Sequence, residues 1–170
     1  MDDVDREILA ELQRDGRQTI TELAERVRVS VSRCQRRLRE LERSGVISGY
    51  HATLNGAAVG LGFEVLVFVH LRHGDREQLT AFDEGLAAIP EVIQAERLFG
   101  TPDYLLRVVT EDLDAYQRLF EDKLATLPNV NQLSSTIVMK RVIATRPMPV
   151  QGTNGCVTSI TADPGPSRTG

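Results

Sequence analysis

Apolar positions in the first 45 residues recur at helical spacing, whereas from Glu64 onward they gather into short β-branched runs separated by further helical stripes. Ile8, Leu9 and Leu12 follow Asp2, Asp3 and Asp5, whose carboxylates suit the positive end of a helix dipole, so a first helix is expected to end near Gly16. Thr19-Ile20-Thr21-Glu22 has the form of a capping box, and Leu23, Ala24 and Val27 supply the stripe of a short second helix. Arg28 and Val29 alone separate it from Ser30, which can cap a third. There Val31, Cys34, Leu38 and Leu41 share one face until Gly45 follows Ser44 as a stop. Three helices with a tight second turn result.

The later pattern has a different grammar. EVLVFVHL (64–71) reads as a strand, Leu79, Phe82, Leu86 and Ile89 as a helix, and VIQAERLF (92–99) as a second strand. The order then repeats: YLLRVVT (104–110), a helix carrying Leu113, Tyr116, Leu119, Phe120, Leu124 and Leu127, and a strand in NQLSSTIVMKRV (131–142). The joints match too, Ile89-Pro90-Glu91-Val92 in one half and Leu127-Pro128-Asn129-Val130 in the other, each proline closing its helix. Two βαβ halves joined by the turn at Gly100–Asp103 predict a ferredoxin-like βαββαβ sheet. The fold class is therefore α+β, a (winged) helix-turn-helix of three helices followed by that sheet. In EVLVFVHL the set 65, 67, 69, 71 is wholly apolar and the set 64, 66, 68, 70 carries Leu66 and Phe68, so both sheet faces want cover. Two helices shield one face; a second copy of the chain is expected on the other, making the dimer obligate.

The divisions expected are a helix-turn-helix over 1–47, a Gly-rich linker over 48–63 with a short extended piece near Tyr50–Leu54, the sheet domain over 64–146, and a loosely ordered tail over 147–170. That tail holds four prolines and four glycines and almost no charge. No run is long and apolar enough for a membrane span, and the start MDDVDREI lacks the basic and apolar parts of a secretory signal, so a cytoplasmic location is expected. Cys34 and Cys156, the only cysteines, offer neither a disulfide framework nor a zinc site.

Charge sharpens the picture by its position. The chain carries −4 overall, yet Arg26, Arg28, Arg33, Arg36, Arg37, Arg39 and Arg43 face only Glu40 and Glu42 within residues 26–43, a local +5. With Val31, Cys34, Leu38 and Leu41 committed inward, Ser32, Arg33, Gln35, Arg36 and Arg39 remain on the outer surface of the third helix. Arginine can fork onto guanine and glutamine onto adenine, while Arg28, Ser30 and the free first-turn N–H groups can hold phosphates. Double-stranded DNA is the partner these residues fit.

The chain resembles the leucine-responsive and asparagine-responsive regulators, the Lrp/AsnC or feast/famine family. The resemblance is carried by Asp5-x-x-Ile8-Leu9-x-x-Leu12, by Thr21-Glu22-Leu23-Ala24, and by Ser30-x-x-x-Cys34-x-x-Arg37-Leu38-x-x-Leu41-Glu42-x-x-Gly45-Val46-Ile47-x-x-Tyr50. It continues through the βαββαβ region, about residues 3 to 146. It implies a transcription regulator whose amino acid effector binds between sensing domains of neighbouring dimers, around the Gly100-Thr101-Pro102-Asp103-Tyr104 turn. Turn N–H groups and hydroxyls suit the effector's carboxylate and Asp103 its ammonium, with Ser134, Ser135 and Thr136 as further donors. Ligand would then shift how dimers assemble, and assembly would fix the spacing of recognition helices. Arg28 stands where family members commonly have glycine, at about 1 kcal/mol if that position needs positive φ. Thr101 and Pro102 stand where members often carry a polar residue and then an aromatic, and Pro102 has no N–H to give.

Other readings have less in the residues. His70 and His73 lie three apart at a strand end and point to opposite faces, His51 lies in the linker, and no ligand spacing or phosphate loop is present, so neither an enzyme nor a cofactor is expected. A pure interaction module, or an oligomeric architectural DNA-binding protein without an effector, stays open at this point.

Overall fold

Three capped helices build the N-terminal unit of the computed structural model, which describes residues 1–72, 76–143 and 145–150. Among the described residues the structure divides at His51: Met1–His51 and Thr145–Val150 form one compact unit, and the described residues from Ala52 to Ile143 form the other. His73, Cys156 and the tail from residue 151 lie outside the described residues.

Helix α1 (Asp3–Arg14) opens on a reciprocal box: the Asp2 carboxylate accepts from the Asp5 N–H and the Asp5 carboxylate from the Asp2 N–H. Helix α2 (Ile20–Arg26) opens in the same way on Thr19 and Glu22, whereas α3 (Val31–Arg43) opens on a one-way cap, Ser30 Oγ accepting from the Arg33 N–H. Ile8, Leu9, Leu23, Ala24, Val27, Cys34 and Leu41 close a small core, with Leu38 and Val29 half-buried against it. Val31 was expected inward and is instead 42% exposed. It is the first residue of α3, and helical side chains lean toward the N-terminus, which carries it past the packed surface.

The turn between α2 and α3 is a Schellman motif: the Val29 N–H donates to Ala24 O at 3.0 Å and the Arg28 N–H to Glu25 O at 3.2 Å. Arg28 therefore sits at φ 54°, the left-handed conformation that its place in the turn requires. Among the described residues Tyr50–Leu54 pairs with no strand, so the expected extended piece forms no β-element there; Tyr50 instead donates its hydroxyl to Glu42. The start of the expected loose tail is held as well: the Gln13 side-chain amide accepts from the Met148 N–H at 2.6 Å and donates to the Met148 carbonyl at 3.1 Å. Val150 packs on the helical core.

The second unit runs β1 (Phe63–Leu71), α4 (Arg76–Ala87), β2 (Val92–Arg97), β3 (Tyr104–Thr110), α5 (Leu113–Asp122) and β4 (Val130–Ile137). Its antiparallel sheet has the order β2-β3-β1-β4, the split βαββαβ topology. Val65, Val67 and Val69 of β1 and Tyr104, Leu106 and Val108 of β3 pack with Phe82, Leu86, Tyr116, Leu119 and Leu124. Both helices thus cover one face. On the other, Glu64, Leu66, Phe68 and His70 stand beside Leu105, Arg107 and Val109, only half-buried.

Four expected elements are shorter than their apolar patterns: α4 stops at Ala87, with Ile89 in the link before Pro90, and β2 stops at Arg97, with Leu98 and Phe99 already in the turn. Helix α5 stops at Asp122; Leu124 lies in a 3-10 turn, Leu124–Thr126, and Leu127 is extended ahead of Pro128. Strand β4 stops at Ile137 instead of reaching Val142: the Val138 N–H still donates to Glu64 O, but among the described residues the pairing with β1 ends at Val65–Ile137.

Candidate functional site

The outer surface of α3 is set by what its other faces do. Of the seven arginines in the basic window, Arg37 is forked between Asp2 and Asp5, Arg26 pairs with Glu11 at 3.3 Å, and Arg43 with Glu40 at 2.8 Å. Arg28, Arg33, Arg36 and Arg39 make no ion pair among the described residues. Ser32, Gln35, Arg36 and Arg39 line one shallow surface together with Glu40 and Arg43. Ser30 stands at its head, its Oγ accepting from the Arg33 N–H at 3.4 Å and lying 3.4 Å from Ser32 Oγ. Glu40 and Arg43, counted in the basic window but not placed on this surface from the sequence, continue the same helical stripe by the steps 32, 36, 39/40, 43. The surface offers forked donors and an amide to base edges, with spare cations beside them for phosphates.

In the sheet unit, strand alternation separates the residues first grouped around the β2–β3 turn. Gly100, at φ 132°, and the exposed Thr101 stand in the turn, after Leu98 and a wholly exposed Phe99. Asp103 is half-buried and partly engaged: one carboxylate oxygen accepts from the Leu71 N–H at 2.8 Å, and its own N–H donates to Val69 O at 2.9 Å. Those bonds lash the turn to β1. Tyr104 points the other way, 3% exposed beneath α4, where its hydroxyl donates to Asp83 at 2.7 Å. Burial first, then that carboxylate, pushes its phenol up to about 12. Ser135 is likewise on the helix side, 2.5 Å from the Tyr116 hydroxyl.

Neither Tyr104 nor Ser135 therefore shares a face with Ser134 and Thr136, which are exposed on the side without helices. There the register aligns Ser134, Phe68, Leu105 and Glu96 in one row, and Thr136, Leu66, Arg107 and Gln94 in the next. Glu64 on that face is paired with Arg107 and Arg141. Among the described residues no group of three or more His, Cys, Asp or Glu is placed to hold a metal, and no helix is long and apolar enough to cross a membrane.

A basic recognition helix in one unit and a split βαββαβ sheet in the other define a DNA-binding regulator with a separate ligand-binding domain. Residues 1–48 match the model of the winged helix-turn-helix DNA-binding family, and residues 64–148 that of the Lrp/AsnC ligand binding domain. The chain belongs to the Lrp/AsnC family and is a ligand-responsive transcription regulator. It is 39% identical over 142 residues to the leucine-responsive regulatory protein of Rhizobium meliloti, covering 84% of this chain and 91% of that one. Among solved structures it is similar to a transcriptional regulator of Neisseria meningitidis in complex with L-methionine, at TM-score 0.84 and 34% identity, over 88% of this chain and 97% of the other. An AsnC family regulator from Agrobacterium tumefaciens gives TM-score 0.83 and 33% identity over the same shares.

Proposed function

We propose that the ligand is an amino acid, held at the Gly100–Asp103 turn, and that it acts by changing how homodimers of this chain assemble in the cytoplasm. The observation that carries the reading is the β2–β3 turn itself, where the N–H groups of Gly100 and Thr101 and the second oxygen of Asp103 make no hydrogen bond among the described residues and Phe99 is fully exposed. Such a set matches a carboxylate, an ammonium and an apolar side chain. Support comes also from the Neisseria regulator solved with L-methionine and the relative named for its response to leucine, both apolar amino acids. Pro102 contributes shape and no donor. Ser134 and Thr136 act as donors from the uncovered face, whereas Tyr104 and Ser135 support the site from behind.

The second copy covers the sheet face without helices, where Leu66, Phe68, Leu105 and Val109 are half-buried in the single chain. Gln35, Arg36 and Arg39, with Ser32 and Arg33, read base edges, and Arg28 and Ser30 hold phosphates. Ligand shifts the assembly equilibrium, and assembly sets the distance between recognition helices on the duplex. Isothermal titration with each of the twenty amino acids, beginning with L-leucine and L-methionine, is expected to give heat with at least one and a changed sedimentation coefficient with the same one. Silence across all twenty overturns the amino acid reading. A monomer at micromolar concentration overturns the dimer.

A further inference from the structure

Arg37 belongs by sequence to the basic window of α3, but its environment removes it from any phosphate. Its two terminal nitrogens fork to different carboxylates, one to Asp2 at 2.6 Å and the other to Asp5 at 2.7 Å, and its side chain is 17% exposed. Asp2 and Asp5 spend their remaining oxygens on each other's backbone N–H groups at the head of α1. All four carboxylate oxygens are thereby used in one closed ring that ties the start of α1 to the middle of α3.

The ring sits where hydrophobic packing is least able to fix α3. That helix buries only Cys34 and Leu41 fully, two side chains seven residues apart, with Leu38 half-buried between them. A seam so narrow is non-directional and leaves rotation of the helix about its axis weakly resisted. At the side-chain radius of about 5–6 Å, a 10° roll moves a base-reading group about 1 Å, while a productive contact tolerates about half that. Burial alone does not account for an arginine here, because its Nε is buried with no partner and an apolar side chain of similar length would avoid that cost.

We propose that Arg37 is a positioning residue for DNA recognition: the Asp2–Arg37–Asp5 ring fixes the rotation of α3 and so the alignment of Gln35, Arg36 and Arg39 with base edges. It acts through those neighbours and touches no DNA itself. A phosphate-binding Arg37 and a positioning Arg37 differ in the sign of one response. Asp5→Asn releases a phosphate-binding arginine and tightens binding, whereas it loosens a positioning ring and weakens recognition.

The test uses the full chain and two duplexes: one selected from a random-sequence pool by the unmutated protein, and a scrambled duplex of the same composition. Arg37→Met and Asp5→Asn are each expected to lower affinity for the selected duplex about tenfold, within the roughly five- to hundredfold worth of a forked base contact. Both should leave the scrambled duplex within about twofold, with the salt slope unchanged. The Asp5→Asn arm answers even if Arg37→Met does not fold. A slope shallower by about 0.9 for Arg37→Met, or tighter binding by Asp5→Asn, makes Arg37 a phosphate contact and overturns the proposal. Retention of the full preference between duplexes by either folded variant, or an equal loss on both duplexes, makes the ring a fold-stabilising feature only and overturns it as well.

Discussion

Arg28 combines a strained backbone with a cation proposed to hold a phosphate, and the two roles separate under mutation. At φ 54° it closes the Schellman turn after α2, in the conformation where an L side chain crowds its own carbonyl at roughly 1–2 kcal/mol. Glycine relieves that contact, and its greater freedom in the unfolded chain returns part of the gain, so Arg28→Gly stabilises by about 1 kcal/mol net. Scanning calorimetry should record this as roughly 4–8 °C in the transition of a unit of this size. Arg28→Ala keeps the strain and should leave the transition where it is. Both variants lose the same cation, so both should flatten the dependence of log K on log salt by about 0.9 in a fluorescence-anisotropy titration with duplex DNA. Equal transitions for Ala and Gly would refute the strain argument, and an unchanged slope in both would refute the phosphate contact.

Four further expectations follow from individual contacts. Asp103→Ala strands the Leu71 N–H and should destabilise the sheet unit by about 1–3 kcal/mol in urea, whereas Asp103→Asn keeps an acceptor and should hold the fold while losing amino acid heat in calorimetry. Tyr104→Phe removes the bond to Asp83 and should cost about 1 kcal/mol of stability with ligand affinity unchanged, since the hydroxyl lies on the helix side. Backbone N–H donors, from Asp5 and from Thr19, hold the Asp2 and Glu22 carboxyls below their ordinary values of 3.8 and 4.5. Depressed folded values mean the caps contribute fully above those pH values and are lost as pH falls through the lower ones, so a circular dichroism titration should show helix loss beginning below about pH 4.5, and Asp2→Asn with Glu22→Gln should flatten that limb. Gln13→Ala should speed hydrogen exchange at the Met148 amide roughly tenfold or more, an unchanged rate showing that the side-chain amide does not hold the segment.

Local signals survived folding wherever a single element decides the outcome. The capping residues Thr19 and Ser30 are where spacing puts them, because a cap concerns only the first turn of its own helix, and Asp2, expected only to favour the helix dipole, proves to be the cap of α1. The internal repeat gave the sheet topology for a similar reason, since each βαβ half carries its own periodicity. What spacing could not show is how one element's residues are spent on another. Arg37 looks like its neighbours in a basic run until α1 brings Asp2 and Asp5 to it across more than thirty residues. Tyr104 and Ser135 look like part of a turn-centred site until alternation sends them behind the sheet, to Asp83 and Tyr116. The apolar pattern runs on from β4 to Val142, but among the described residues its pairing with β1 ends at Ile137, so backbone pairing overrode side-chain pattern. The same logic governs the face of the sheet that the helices leave open. Phe68 and Leu66 on it are ordinary strand residues within one chain, and their half-buried state becomes informative only because β3 places Leu105 and Arg107 beside them. An arginine on that face, satisfied by Glu64 in the same chain, lets the surface meet an apolar partner without leaving a charge unpaired.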